Sequence, residues 1–112
     1  MARNYIQPGE TLTVVTPRAV ASGGGVLVGA IFGIALRDAA AGTEVEIRRV
    51  GVFDSVKAAG QAWTQGAKLY WDNTAFALTT TAASNTLVGA AAQAQAAASI
   101  VGRVVLTGQI AA

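Results

Sequence analysis

The sequence contains no cysteine and no histidine, and these two absences exclude several classes of chemistry. Disulfide bonds, thiolate nucleophiles, cysteine- or histidine-ligated zinc and acid–base catalysis by imidazole are all impossible. Aromatic residues are few, at 6% of the 112 positions. Charge is also scarce, because 12% of the residues are charged whereas a globular protein averages about 25%. We therefore expect no cofactor and no enzymatic activity.

Small residues make up the share of the composition that charged and aromatic residues usually occupy. Alanine occurs 25 times and glycine 13 times, so together they make up about a third of the chain. A surface built from such residues gives a free monomer little solubility, whereas it tolerates close packing against copies of itself or another surface. The net charge of +2 is a weak excess of base, and we expect no nucleic-acid partner from it.

One uncharged stretch raises the question of a membrane segment. Residues Ala19–Leu36 carry no charge and include three glycines at the spacing of membrane helix dimers. However, the glycines at Gly23–Gly25 interrupt the stretch, and the strongly apolar part, Val26–Leu36, has 11 residues, too few to span about 30 Å as a helix. The N-terminus has no apolar signal region either. We therefore expect no membrane partner.

Turn residues recur along the chain at the short spacing that is typical of an all-β barrel or sandwich. The segments between them are rich in β-branched residues, which predicts one small all-β domain over residues 8–112 after an N-terminal arm at residues 1–7. At most one short helix is expected, at Ser55–Trp63 or in the alanine-rich run Ala90–Ala98. The predicted strands are Asn4–Gln7, Thr11–Val15, Ala19–Ala21, Val26–Val28, Ile31–Leu36, Thr43–Phe53, Lys68–Trp71, Phe76–Thr79, Thr86–Ala90 and Ser99–Leu106.

The predicted strand Thr43–Phe53 has the clearest alternation in the chain. Val45 and Ile47 share one face of it, and charged residues occupy the other. Further along, Val50 and Val52 fall on the charged side of this pattern. Because one extra residue moves every later side chain to the opposite face, we predict a β-bulge at the adjacent arginines, Arg48 and Arg49.

Two groups of residues could be interpreted as chemical sites. Glu44 and Glu46 share one strand face, and paired carboxylates can carry acid–base chemistry, but a solvated face balanced by Arg48 is the simpler explanation. The glycine-rich Ser22–Gly25 lacks the lysine and hydroxyl residue of a phosphate-binding loop, so a turn is expected there. No acidic cluster has the spacing of a metal-binding loop.

The aromatic residues admit two interpretations as well. Tyr70 and Trp71 lie near Lys68 and could offer stacking platforms to a nucleic acid. The basic residues are dispersed along the chain, however, without a repeat of basic and aromatic positions. A core cluster that includes Trp63 is the simpler interpretation.

Charge is unevenly distributed along the chain. All six acidic residues lie between Glu10 and Asp72, and Asn73–Gly102 contains no charged residue. The segment keeps apolar anchors among its threonines, serines and amides, which favours an uncharged interface over disorder. We therefore predict an oligomer interface at Phe76, Leu78, Leu87, Val88, Ala90 and Ala91.

Several segments, in consistent order, resemble the small capsid decoration or cement proteins of tailed bacteriophages (DUF2190). The segments that carry the resemblance are Ala2–Glu10 with Leu12–Val14, Ser22–Ala35, Ala39–Glu46 with Gly51–Phe53, Lys57–Asp72, and Leu87–Ala91 with Arg103–Leu106.

The resemblance implies a β-rich cap on the outer surface of the virion capsid. It implies binding to the major capsid protein of the expanded shell, as a homo-oligomer that is expected to be a trimer, and stabilisation of the shell without catalysis. We expect the N-terminal arm to contact the shell or a neighbouring subunit through Arg3, Asn4, Tyr5, Ile6 and Gln7. The alternatives are another phage structural domain, from a tail or spike, and a small β-barrel that binds nucleic acid or sugar.

Overall fold

The structure is a computed structural model that describes residues 11–108, and this part of the chain contains β-strands and no helix. The strands are β1 (Thr11–Val15), β2 (Gly25–Val28), β3 (Ile31–Ala35), β4 (Glu44–Arg48), β5 (Val50–Val56), β6 (Lys68–Asp72), β7 (Ala77–Thr79), β8 (Thr86–Ala91) and β9 (Val101–Thr107). The predicted all-β class is confirmed. The first predicted strand, Asn4–Gln7, lies outside the described residues.

The strands form two antiparallel sheets. The first four make a sheet in the spatial order β1-β4-β3-β2, and the last five make a second sheet in the order β5-β9-β8-β6-β7. One parallel bridge, from Lys57 to Leu78, brings β7 beside the end of β5, but no ladder continues from it. The sheets therefore do not close into a barrel. Within residues 11–108, no helix has the length and apolar character needed to cross a membrane.

The chain passes from one sheet to the other at Arg49, and the bulge predicted there is wrong. Strand β4 pairs with β1 and β3, whereas β5 pairs with β9. Val45 and Ile47 are fully buried, and in β5 it is again an odd-numbered residue, Ser55, that is buried. Because no extra residue changes the phase, the even-numbered valines of β5 point outward.

Neither of the segments considered for a helix is helical. Ser55 belongs to β5, Ala90 and Ala91 end β8, and the rest of the alanine-rich run is a loop. Backbone hydrogen bonds in both directions join Trp63 to Gln95 at 2.9 and 3.1 Å. These hydrogen bonds satisfy backbone groups without a helix. Tertiary contacts thus outweigh the helix propensity of the alanine-rich run, which is too short to form a stable helix alone.

Two clusters of buried side chains fill the interior, and β3 belongs to both. Phe32 and Ile34 point into the larger cluster with the inward residues of the second sheet. Ala35 faces the opposite way, into a smaller cluster with Val45 and Ile47. Since β3 is covered on both faces, all residues from Phe32 to Ala35 are buried.

Two aromatic contacts hold the sheets together. The ring of Phe32 in β3 packs against Trp71 of β6, with centroids 5.1 Å apart and planes tilted by 47°. The guanidinium of Arg18 lies 4.0 Å from the centre of the Phe76 ring, and it also donates a hydrogen bond of 2.7 Å to the carbonyl of Gly25. The two sheets therefore share one buried junction and one partly exposed cation–π contact.

Candidate interaction surface

The outer face of β5 and β9 carries a row of exposed valines. Val52 is 57% exposed, Val56 52% and Val101 50%. These strands alternate regularly, so that Gly102, Val104 and Leu106 of β9 point into the core while their neighbours point outward. We define the valine face as the six outward residues Val52, Asp54, Val56, Val101, Arg103 and Val105.

The register between β5 and β9 arranges the valine face in three cross-strand rows. Val52 lies opposite Val105, and Val56 opposite Val101, while Asp54 and Arg103 form the middle row. The Arg103 guanidinium donates to both carboxylate oxygens of Asp54, at 2.9 and 3.3 Å. This hydrogen bonding lowers the pKa of Asp54 and raises that of Arg103. An ion pair is thus flanked on both sides by valines.

Apolar surface continues beyond the valine face on two sides. Ile100, just before β9, is 67% exposed, the highest exposure among the large apolar side chains of residues 11–108. On the other side, Ala90 of β8 lies opposite Val105. A shallow depression of about 210 Å³ follows, lined by Lys68, Leu87, Gly89, Ala90 and Thr107.

The outer face of β4 has a different character. Arg37 donates a hydrogen bond of 2.8 Å to the carboxylate of Glu46 and another of 2.7 Å to the carbonyl of Glu44. Arg37 lowers the pKa of Glu46 through this contact. The paired carboxylates are therefore part of a charged, solvated strand face, which agrees with the simpler of the two sequence interpretations.

The six residues predicted for an oligomer interface separate into two groups. Leu78, Val88 and Ala91 are 0%, 6% and 2% exposed within a single chain. They pack in the larger core cluster, so they offer no surface to a neighbour. A charge introduced at Val88 would consequently test the core of the chain rather than its assembly.

The other three predicted interface residues reach the surface, and for them the interface stays a prediction. Phe76 is 38% exposed, in a turn with φ of 55° under the Arg18 guanidinium. Leu87 and Ala90 are partly exposed and line the depression beside the valine face. The predicted arm residues Arg3, Asn4, Tyr5, Ile6 and Gln7 lie outside the described residues.

Sequence reasoning missed the valine face, although a signal for it was present. Glu44 and Glu46 face solvent and have even numbers, as Val52 and Val56 do. If the alternation of inward and outward side chains continues unbroken from β4 into β5, Val52 and Val56 also face outward. The general tendency of valine side chains to be buried led instead to the prediction of a bulge. The pairing of β5 with β9, which joins these valines to Val101, depends on a contact between distant parts of the chain.

No metal-binding cluster lies beside this surface in the described part of the chain. Residues 11–108 contain no cluster of three or more acidic residues able to hold a metal ion. Trp63 and Trp71 are 2% and 1% exposed, and so they belong to the core rather than to a stacking platform. Asp72 accepts backbone hydrogen bonds from Thr74 and Ala75, which lower its pKa. Local turn geometry thus explains this carboxylate.

Comparison with known proteins adds one finding. The family model described as phage cement protein matches residues 6–106, which is nearly the whole chain. No curated protein and no solved structure matches.

Proposed function

This chain belongs to the phage cement protein family, and from that membership we propose that it binds the outer surface of an assembled phage capsid shell and stabilises it. The family is a structural one that is associated with the capsid. The single observation that carries the proposal is the family match over residues 6–106. The major capsid protein is the proposed partner, and no catalysis is part of the proposed role.

The surface chemistry of the chain supports this role. Cement proteins need complementary surfaces rather than reactive side chains, and the first sheet exposes large apolar side chains at Val15, 56% exposed, and just after β3 at Leu36, 49% exposed. Each square ångström of apolar surface that is buried on the shell contributes about 25 cal/mol. A protein that binds the assembled shell and not the separated subunits shifts the equilibrium toward the shell by mass action. Many bound copies multiply this effect.

Addition of the purified chain to expanded, undecorated shells of its own phage tests the proposal. We expect the chain to co-sediment with the shells, to add density on the outside of the shell in electron micrographs, and to raise the temperature at which shells break. An absence of co-sedimentation would contradict the proposal. Recovery of the chain on purified tails instead of heads would favour a tail component.

The N-terminal arm has a specific place in the proposed role. We propose that residues 1–7 contact the shell or a neighbouring subunit, because Tyr5 and Ile6 could extend a partner's sheet as an added strand. Deletion of residues 1–7 should abolish shell binding while the circular dichroism spectrum of the remaining domain is unchanged. Unchanged occupancy of the truncated chain on shells would exclude this role of the arm.

On the shell we propose that the chain is a homo-oligomer, with a trimer at threefold positions as the arrangement. Association between subunits depends on protein concentration, and binding to the shell raises the local concentration of the chain. The mass of shell-bound units in electron micrographs, compared with the mass of the free protein in sedimentation, tests this arrangement.

A further inference from the structure

The valine face combines exposed apolar surface with internal charge balance. Its one acidic and one basic residue, Asp54 and Arg103, neutralise each other across the strands. A partner that carried a strong charge of either sign would gain nothing from this face. The partner that fits this face best offers apolar rows with a balanced pair of charges between them, because apolar burial and charge pairing then add.

A second copy of the same face meets that requirement. Two valine faces can stack with their strands aligned, as packed sheets commonly do. In the arrangement that we consider, a two-fold axis lies between the two stacked faces and runs parallel to the strands. The axis keeps each row at its own height and exchanges β5 with β9. Asp54 then lies over Arg103 of the second copy, and each valine row lies over a valine row.

We infer that the valine face docks onto the valine face of a second copy of this chain, so that two Asp54–Arg103 pairs form one four-charge network between apolar rows. The inference rests on the proposed function only in that a cement protein acts as assembled copies. A contact of a face with itself is two-fold, and on a shell it would join chains of neighbouring trimers.

The size of the face predicts weak pairing. The valine face spans five residues of each strand, Val52–Val56 and Val101–Val105, so at a rise of about 3.4 Å per residue it is about 17 Å long, while neighbouring strands are only about 4.8 Å apart. Its area is therefore a few hundred Å², within the range of the largest apolar patch on a monomer and below the roughly 800 Å² per partner of a standard interface. We expect pairing to depend strongly on concentration.

The first experiment introduces a charge into an apolar row. Val52→Asp should abolish concentration-dependent pairing in sedimentation, because the new carboxylate would be buried against a valine row. Val15→Asp is the matched control, since Val15 in β1 is 56% exposed and Val52 57%. Equal pairing of wild type and Val52→Asp would overturn the inference, as would a wild-type chain with no concentration dependence at all.

The second experiment tests the exchange of charges between copies. Asp54→Arg and Arg103→Asp each place like charges on the face, so neither variant should pair with itself. Mixed in equal amounts, they should form heterocomplexes in native mass spectrometry, because the two arginines on the face of one variant then meet the two aspartates on the face of the other. The internal ion pair is broken in both chains, so it cannot account for recovery on mixing.

A matched charge control exists on the other sheet. Glu46→Arg and Arg37→Asp disrupt an ion pair of similar length and change the net charge by the same amounts. Both controls keep an intact valine face, so each should pair with itself as wild type does, and mixing them should not increase pairing. A gain on mixing as large as that of the Asp54 and Arg103 variants would overturn the inference, because general charge attraction would then suffice.

Shell binding separates this inference from the proposed function. If Val52→Asp loses shell binding while its self-association equals that of wild type, the valine face docks on the shell, which overturns the inference and keeps the cement role. If wild type pairs through the face and no shell binds it, the cement role fails and the inference stands.

Discussion

Lys57 shows at the residue scale how this fold accommodates a charge in its interior. Its side chain is 2% exposed, and its ammonium donates to the carbonyls of Ala58 and Ser99 at 3.1 Å each. The ammonium also lies 5.7 Å from the centre of the Trp63 ring. A buried ammonium is costly unless it is hydrogen-bonded, and here two backbone carbonyls and an aromatic face surround it.

Replacement of Lys57 by methionine should destabilise the chain. The apolar stem is kept, but the carbonyls of Ala58 and Ser99 lose a donor, and an unsatisfied buried polar group costs about 1–3 kcal/mol. Urea unfolding followed by tryptophan fluorescence measures the change. Lys68→Met, at an exposed position, is the control and should have little effect. Equal stability of both variants would show that the ammonium contributes nothing.

Gly102 is the second residue with a sharply defined role. A Cβ at this position would overlap the Trp63 ring, whereas the backbone of Gly102 is not in the left-handed region. Gly102→Ala should therefore lower the free energy of unfolding through overpacking, by about 1–3 kcal/mol. Thermal unfolding measures it, with the exposed neighbour substitution Val101→Ala as control. A variant as stable as wild type would mean that the Trp63 ring moves freely.

At the scale of elements, two ion pairs connect strands or their ends. Arg103 joins β9 to β5 through Asp54, and Arg37, just after β3, joins β4 through Glu46. Both pairs are exposed, and isolated surface pairs contribute little individually. Their contribution is best detected through the pH dependence of the free energy of unfolding.

Stability should fall in acid. The arginine partners hold the pKa of Asp54 below its ordinary 3.8 and the pKa of Glu46 below its ordinary 4.5. The unfolded chain then binds protons more readily than the folded chain, so this stabilisation is complete above about pH 5 and is lost as pH falls through the folded pKa values. The pKa of Asp72 shifts in the same direction.

Urea midpoints measured between pH 7 and pH 3 test this dependence. The double variant Asp54→Asn with Glu46→Gln should show a flatter profile than wild type, because two of the three carboxylates that have a lowered pKa within residues 11–108 no longer titrate. Parallel profiles would mean that the two ion pairs are not the source of the pH dependence.

At the scale of the whole molecule, β3 couples the two sheets. Phe32 enters the larger cluster against Trp71, while Ala35 enters the smaller one. Since one strand is buried on both faces, loss of either cluster exposes part of the other. We expect the two sheets to unfold together.

Truncation of Phe32 should weaken that coupling. Phe32→Ala removes a buried ring from the junction and should cost about 3–5 kcal/mol. Both tryptophans belong to the larger cluster, so fluorescence follows that part, while far-ultraviolet circular dichroism follows both sheets. The two transitions should coincide in wild type, and non-coincident wild-type transitions would contradict the coupling of the sheets. Leu36→Ala, at an exposed position, is the control.

The sequence alone determined the β class, most strand positions and the exclusion of imidazole and thiol chemistry, because alternation and residue inventory are local properties. It did not determine that Leu78, Val88 and Ala91 are core residues, since an uncharged segment can be buried within its own chain or between chains. Tertiary structure decided that Val52 and Val56 stand beside Val101 in one exposed face. The reason is that β5 leaves the first sheet and pairs with β9, which lies about 50 residues further along the chain, and no local pattern encodes a partner at that distance.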